Sequence, residues 1–136
     1  MIRLIFLIAI CLPFTVFGCS CANNTLQNKI VNADYIYFGQ ITESKLINSN
    51  TIENNLSIID FIKGNPETNI IYSRVGEHTM CSMYAATGLT YIVYGKLGTT
   101  PSLSLCSSTM VLLDDVEKEL EEIRLAVNNA KLDGFE

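Results

Sequence analysis

The chain has 136 residues, a formal net charge of −5 and a hydrophobic fraction of 49%, which an apolar N-terminal segment raises. This length suits one domain with a single hydrophobic core. The acidic balance argues against nucleic acid or an anionic lipid surface as the main partner, because both are bound through basic patches.

Residues 1–18 have the pattern of a secretory signal peptide. Arg3 precedes an apolar run, and the small residue Gly18 precedes the expected cleavage site before Cys19. The apolar run is shorter than the roughly 20 residues that a membrane-spanning helix needs. We therefore expect a secreted or periplasmic protein with no membrane span, whose folded domain covers residues 19–136.

The first part of this domain predicts one short helix followed by strands. Thr25 is a candidate N-cap for a helix over residues 25–33. Alternating apolar residues then predict strands, the first with a bulge at Gly39 and the second following a polar turn at 48–55. The predicted strands are 34–46, 56–65, 69–75, 89–97 and 102–107.

The C-terminal part changes to helical periodicity. Asp114 followed by Glu117 resembles a capping box in which Asp replaces Ser or Thr. An apolar stripe with three-four spacing should pack against the strands; it consists of Leu113, Val116, Leu120, Ile123 and Val127. The chain thus predicts one mainly β domain of five strands with a helix at each end.

Four cysteines remain after cleavage, namely Cys19, Cys21, Cys81 and Cys106. Export to an oxidising compartment favours two disulfides. A Cys19–Cys21 bond would close a very tight ring, which leaves the two cross-pairings open. A four-thiolate zinc site usually has short spacings in both halves, and a redox pair usually has the C-x-x-C spacing. Neither pattern occurs here.

No catalytic machinery is indicated, so we expect a protein that is not an enzyme and has no cofactor of its own. His78 is the only histidine, and no serine triad partners accompany it. A Cys–His pair would need a free thiol, whereas Cys81 is expected to be bonded. Four tyrosines are interpreted as barrel core or rim, because a nucleic-acid stacking surface would need basic neighbours. They are Tyr35, Tyr37, Tyr91 and Tyr94.

Together these segments resemble a known family. The pattern has a C-x-C start, a short helix, a strand "ADYIYFGQI", a second strand ending in "KG", one cysteine before "GLTYIVY" and another after the next short strand. It resembles the netrin-like domain and, within it, the tissue inhibitors of metalloproteinases in their single-domain bacterial-type form. The likeness extends from Cys19 to about Ile123.

The resemblance implies a fold and a disulfide pairing. The fold is a five-stranded OB-fold-like Greek-key barrel with a short N-terminal helix and a C-terminal helix. The pairing joins Cys19 to Cys81 and Cys21 to Cys106.

The resemblance also implies an inhibitory ridge at residues 19–22. The α-amino nitrogen and carbonyl oxygen of Cys19 would chelate the catalytic zinc of a target protease, whose open coordination position normally holds water. Ser20 would point its side chain into the primary specificity pocket, and Ala22 would lie further along the cleft. The family commonly has Pro where this chain has Asn23.

The resulting hypothesis is a secreted, monomeric inhibitor whose partner is a zinc metalloproteinase. The alternative is a non-inhibitory extracellular or envelope interaction module. One form of this alternative is a lipoprotein anchored at Cys19, because "VFGC" is a marginal lipobox. A lipid on the Cys19 sulfur excludes the Cys19–Cys81 bond and leaves Cys81 unpaired. Phe17 is also unusual in a lipobox, so plain secretion is favoured.

Overall fold

The computed structural model describes Cys19, Cys21, residues 25–76, residues 81–132 and Gly134. The expected signal peptide lies outside the described residues. The described part contains two helices and six strands. In chain order they are α1 (Leu26–Asn32), β1 (Tyr35–Asn48), β2 (Thr51–Lys63), β3 (Ile70–Arg74), β4 (Thr90–Gly95), β5 (Ser102–Leu103), β6 (Met110–Leu112) and α2 (Val116–Leu132).

All six strands belong to one curled sheet with the order β5-β3-β2-β1-β4-β6. Strands β3 and β5 are parallel, and every other neighbouring pair is antiparallel. The central order β4-β1-β2-β3 is that of a Greek key, in which the fourth strand returns beside the first. The prediction of a mainly β domain with a helix at each end is confirmed.

The strand count differs from the prediction of five. The additional strand β6 pairs with β4, with Thr90 opposite Leu112 and Ile92 opposite Met110. Its three residues are too few to show alternation in the sequence, and only the neighbouring strand defines them as β structure.

The polar stretch 48–55 forms much less of a turn than predicted. The hairpin loop is only Ser49 and Asn50, and β2 already begins at Thr51. Asn54 is fully buried in this strand, and its amide donates to the Ile71 carbonyl at 3.1 Å and to the Ser73 hydroxyl at 3.0 Å. Polar residues are accommodated here because a neighbouring strand satisfies their hydrogen bonds.

Apolar side chains form two clusters on opposite faces of the sheet, because successive residues of a strand point to opposite faces. Ile36 and Phe38 of β1 lie in the cluster covered by both helices. Tyr35 and Tyr37 of the same strand lie in the other cluster, on the inner side of the curl. The curved sheet is thus packed on both faces.

Each helix is capped and packed by identifiable residues. The Thr25 side chain accepts from the Asn28 amide, which confirms the predicted N-cap of α1. At α2, the capping prediction at Asp114 is wrong: the Asp115 side chain accepts from the Lys118 amide, because the helix begins at Val116. The buried face of α2 contains Leu120, Ile123, Val127 and Ala130.

Close backbone approaches explain two glycines in the sheet. The register of β1 against β2 shifts between Phe38 and Gly39, as the predicted bulge requires. A Cβ at Gly39 would lie 2.7 Å from the Ser57 carbonyl oxygen. At the end of β4, a Cβ on Gly95 would overlap the ring of Tyr35.

Candidate functional site

Two disulfides join the start of the predicted domain to its body. Cys19 is bonded to Cys81, and Cys21 is bonded to Cys106, with Cα separations of 5.8 and 5.2 Å. Both separations lie within the ordinary range for disulfides. These are the two pairs that the family resemblance implied.

The partner cysteines Cys81 and Cys106 lie on two segments that are hydrogen-bonded to each other. The Leu105 amide donates to the Cys81 carbonyl at 2.9 Å, and Ser82 forms an isolated antiparallel bridge with Ser104. Both disulfides therefore end on a single platform, which we define as residues 81–82 and 104–107. Residues 19 and 21 are fixed to this platform at two separate points.

The side chain of Ser107 stabilises the turn that carries Cys106. Its hydroxyl oxygen accepts from the Ser104 amide at 3.0 Å and lies 2.9 Å from the Ser104 carbonyl and 3.1 Å from the Thr109 carbonyl. The Ser107 amide closes the same turn on the Ser104 carbonyl at 3.1 Å. These hydrogen bonds stabilise the turn although it is not part of a helix or strand.

The segment that follows Cys81 is fixed to the sheet. The Ala86 amide donates to the buried Tyr91 hydroxyl at 3.0 Å. Gly88 donates to the Ile41 carbonyl at 2.8 Å, and the Gln40 side chain donates to the Gly88 carbonyl at 2.7 Å. The segment that follows Cys81 is thus hydrogen-bonded both to β4 and to β1.

Helix α1 fixes the chain on the other side of the C-x-C segment. The Lys63 ammonium donates to the carbonyls of Ile30 at 3.0 Å and Ala33 at 2.7 Å, which lie at the C-terminal end of α1. A cation at this end of a helix satisfies carbonyls that have no intrahelical partner. Cys21 and helix α1 are thus each attached to the body of the domain.

The surroundings of the platform are accessible and partly apolar. Cys21 is exposed, and Cys19 is half-buried. The side chains of Tyr84 and Leu105 are 70% and 53% exposed. Exposed apolar residues beside the two disulfides provide area that a protein partner can bury.

The structure describes some of the residues singled out in the sequence and not others. Ser20, Ala22 and Asn23 of the predicted ridge and the lone histidine His78 lie outside the described residues. The structure describes four of the predicted site residues, and it brings Cys19, Cys21, Cys81 and Cys106 together through the two disulfides.

The four tyrosines are buried, so their rings cannot form a stacking surface for single-stranded nucleic acid. Tyr35 and Tyr37 have no exposed area, and Tyr94 is only 8% exposed. Burial raises the pKa of Tyr94 to about 12. It also raises the pKa of Tyr37, with a smaller contribution from Tyr35. These rings are core, as the sequence interpretation held.

The described residues form neither a metal-binding cluster nor a membrane-spanning helix. No group of three or more His, Cys, Asp or Glu side chains is arranged to hold a metal ion in that part of the chain. None of the helices formed by these residues is long and apolar enough to span a bilayer.

Sequence reasoning missed the platform that supports the disulfides. Ser82, Ser104 and Ser107 are small polar residues whose roles depend on contacts with chain segments distant in sequence. The only signal was the serine-rich context around Cys106, which is typical of turns in general.

Comparison with known proteins adds no family assignment. No protein-family model matches the chain, and no curated protein matches it.

Proposed function

We propose that this chain is a secreted inhibitor of zinc metalloproteinases that acts through its N-terminus at Cys19. The observation that carries the proposal is the double attachment of residues 19 and 21 to one platform. Cys19 and Cys21, two members of the predicted ridge, are both bonded to this platform, and Ser20 lies between them in the sequence. Binding such a terminus costs little conformational entropy, and this favours affinity.

The chemistry of the terminus suits a catalytic zinc ion. A catalytic zinc keeps one coordination position open for water or substrate. With Cys19 as the first residue, its α-amino nitrogen and its carbonyl oxygen form a five-membered chelate at that position. The amine must be neutral to bind the metal, and an unperturbed α-amino pKa of about 7.7–8.0 makes deprotonation inexpensive at neutral pH.

The topology supports a netrin-like, OB-type barrel. Strands β1 to β5 have the order β5-β3-β2-β1-β4, and β6 extends the β4 edge. A partly open five-stranded Greek-key barrel is the architecture that the resemblance implies. Fold alone does not determine function, so the inhibitory proposal depends on the terminus.

The disulfides also bear on where the protein is located and on the alternative of a lipid-anchored interaction module. Disulfides form and persist outside the reducing cytosol, which supports export. A lipid anchor at Cys19 would need the sulfur that is bonded to Cys81. The pairing therefore favours a secreted chain with a free amine over an anchored interaction module.

A panel of zinc metalloproteinases, incubated with protein that begins at Cys19, tests the proposal. The matched control is the same protein carbamylated with cyanate at mildly acidic pH, where the α-amine reacts before lysine because its pKa is lower. Intact mass verifies one modification and two disulfides. We expect inhibition of at least one protease and a loss of about 100-fold after carbamylation, since the blocked nitrogen cannot bind zinc. Equal inhibition by both forms, or inhibition of no protease, contradicts the proposal.

A further inference from the structure

A groove beside the platform has the size and lining of a ligand site. Its volume is about 790 Å³, within the usual range of roughly 300–1,000 Å³ for small-molecule sites. It lies between the tip of the β1–β2 hairpin, the end of β3, and the strand β5. Its polar lining includes Thr51, Tyr72, Arg74, Ser82, Ser102 and Ser104.

Arg74 is the only cation that lines this groove among the described residues, and it is exposed. The single ion pair of the described part joins Arg124 to Asp60 on the helical side of the sheet. Glu53 is the nearest carboxylate along the strand ladder, opposite Tyr72 on β3 and Lys45 on β1. Among the described residues Arg74 takes part in no ion pair, so its exposed guanidinium is available to bind an external anion.

The remaining walls of the groove are apolar. Ile47 is 44% exposed and contributes aliphatic surface, and the half-buried Tyr72 contributes an aromatic ring. A guanidinium presents a planar fork of donors that matches the two oxygens of a carboxylate. One cation, apolar walls and an overall charge of −5 make a poor site for polyphosphates or nucleic acid.

We propose that this groove binds a carboxylate carried on an apolar body, with Arg74 contacting the carboxylate and Ile47 and Tyr72 contacting the apolar part. The carboxylate has two possible sources, a free organic acid or an acidic side chain within an apolar peptide. The groove shares Cys81, Ser82 and Ser104 with the platform, but Cys19 and Cys21 are not among its lining residues. The proposal therefore stands whether or not the chain inhibits proteases.

Titrations followed by 15N NMR test the groove on the full domain with both disulfides intact. The probes are octanoate and the peptide acetyl-Leu-Glu-Leu-amide, and their neutral counterparts are octanamide and acetyl-Leu-Gln-Leu-amide. Arg74→Gln removes the cation, and Lys118→Gln on the exposed face of α2 removes one positive charge elsewhere as a control. Thermal unfolding checks that both variants remain folded.

We expect saturable shifts of the Ser82, Ser102 and Ser104 amides with an acid and at least tenfold weaker binding of its amide. Arg74→Gln should weaken binding of the acid at least tenfold, whereas Lys118→Gln should leave it within twofold. The series that binds more tightly identifies the source of the carboxylate. Equal binding of acids and amides, unchanged binding by Arg74→Gln, or no saturable binding of either acid up to 10 mM would overturn the proposal.

Discussion

Removing the Cys19–Cys81 disulfide, by changing both residues to alanine, measures how far the platform stabilises the domain. The two disulfides close loops of 62 and 85 residues. In the chain-entropy model, such loops are worth about 4.3 and about 4.6 kcal/mol at 25 °C when each is the only bond.

The two bonds are not independent, because each shortens the loop that the other closes. With Cys21–Cys106 intact, Cys19 and Cys81 are linked through the 25 residues from Cys81 to Cys106 and the two from Cys19 to Cys21, about 27 in all. A loop of that size is worth about 3.5 kcal/mol. We therefore expect either single removal to cost about 3.5 kcal/mol and removal of both to cost about 8 kcal/mol.

Urea denaturation gives these free energies of unfolding for four proteins. They are the intact protein, the variant with alanine at positions 19 and 81, the variant with alanine at positions 21 and 106, and the variant with alanine at all four positions. Native domains are stable by about 5–15 kcal/mol, so the four-alanine variant should be largely unfolded if the intact domain is stable by less than about 8 kcal/mol. A cost below about 1 kcal/mol for either single removal would refute the reasoning. The reasoning would also be refuted if the four-alanine variant were as stable as either variant that lacks one disulfide.

Three further predictions concern the body of the domain. Gly95→Ala should lower the free energy of unfolding by at least about 2 kcal/mol in urea denaturation, because the added Cβ would overlap the Tyr35 ring. In the control Gly98→Ala the added Cβ meets open space, so the loss should be only about 1 kcal/mol, from backbone strain. Equal losses in the two variants would contradict the packing of Gly95 against Tyr35. Asn54→Ala should cost about 2–3 kcal/mol, because it leaves the buried partners of the amide unsatisfied, and a loss below 0.5 kcal/mol would show that the network contributes little. Burial raises the pKa of Tyr94 in the folded protein to about 12 from 10.0, so its neutral hydroxyl contributes fully to stability below pH 10, and up to roughly 3 kcal/mol of stability is lost as the pH rises through 12. Circular dichroism should therefore show that Tyr94→Phe loses stability less steeply than the unchanged protein above pH 10. Tyrosinate absorbance showing that Tyr94 ionises near pH 10 would contradict this.

Local patterns predicted the regular parts of the fold well. The Thr25 cap, the bulge at Gly39 and the apolar face of α2 follow from side-chain chemistry and periodicity within a few residues. These features depend on neighbours in the sequence, so a single chain is enough to predict them.

The errors occurred where distant segments decide the structure. Asn54 is in a strand because Ile71 and Ser73 satisfy its amide, and β6 exists because β4 offers an edge. Leu113 belongs to the predicted stripe of α2, yet it precedes the helix and is 68% exposed. The groove at Arg74 likewise needs three segments to meet, and no local pattern shows this.

The inhibition constant of protein that begins at Cys19, compared with protein carrying one additional alanine before Cys19, tests the central claim most directly. The added residue does not prevent either disulfide from forming. In each form, intact mass verifies the two disulfides and urea denaturation verifies the stability of the fold. Our account predicts at least a 100-fold weaker inhibition by the extended form, because its amine is displaced from the zinc. Equal inhibition by the two forms would contradict the account.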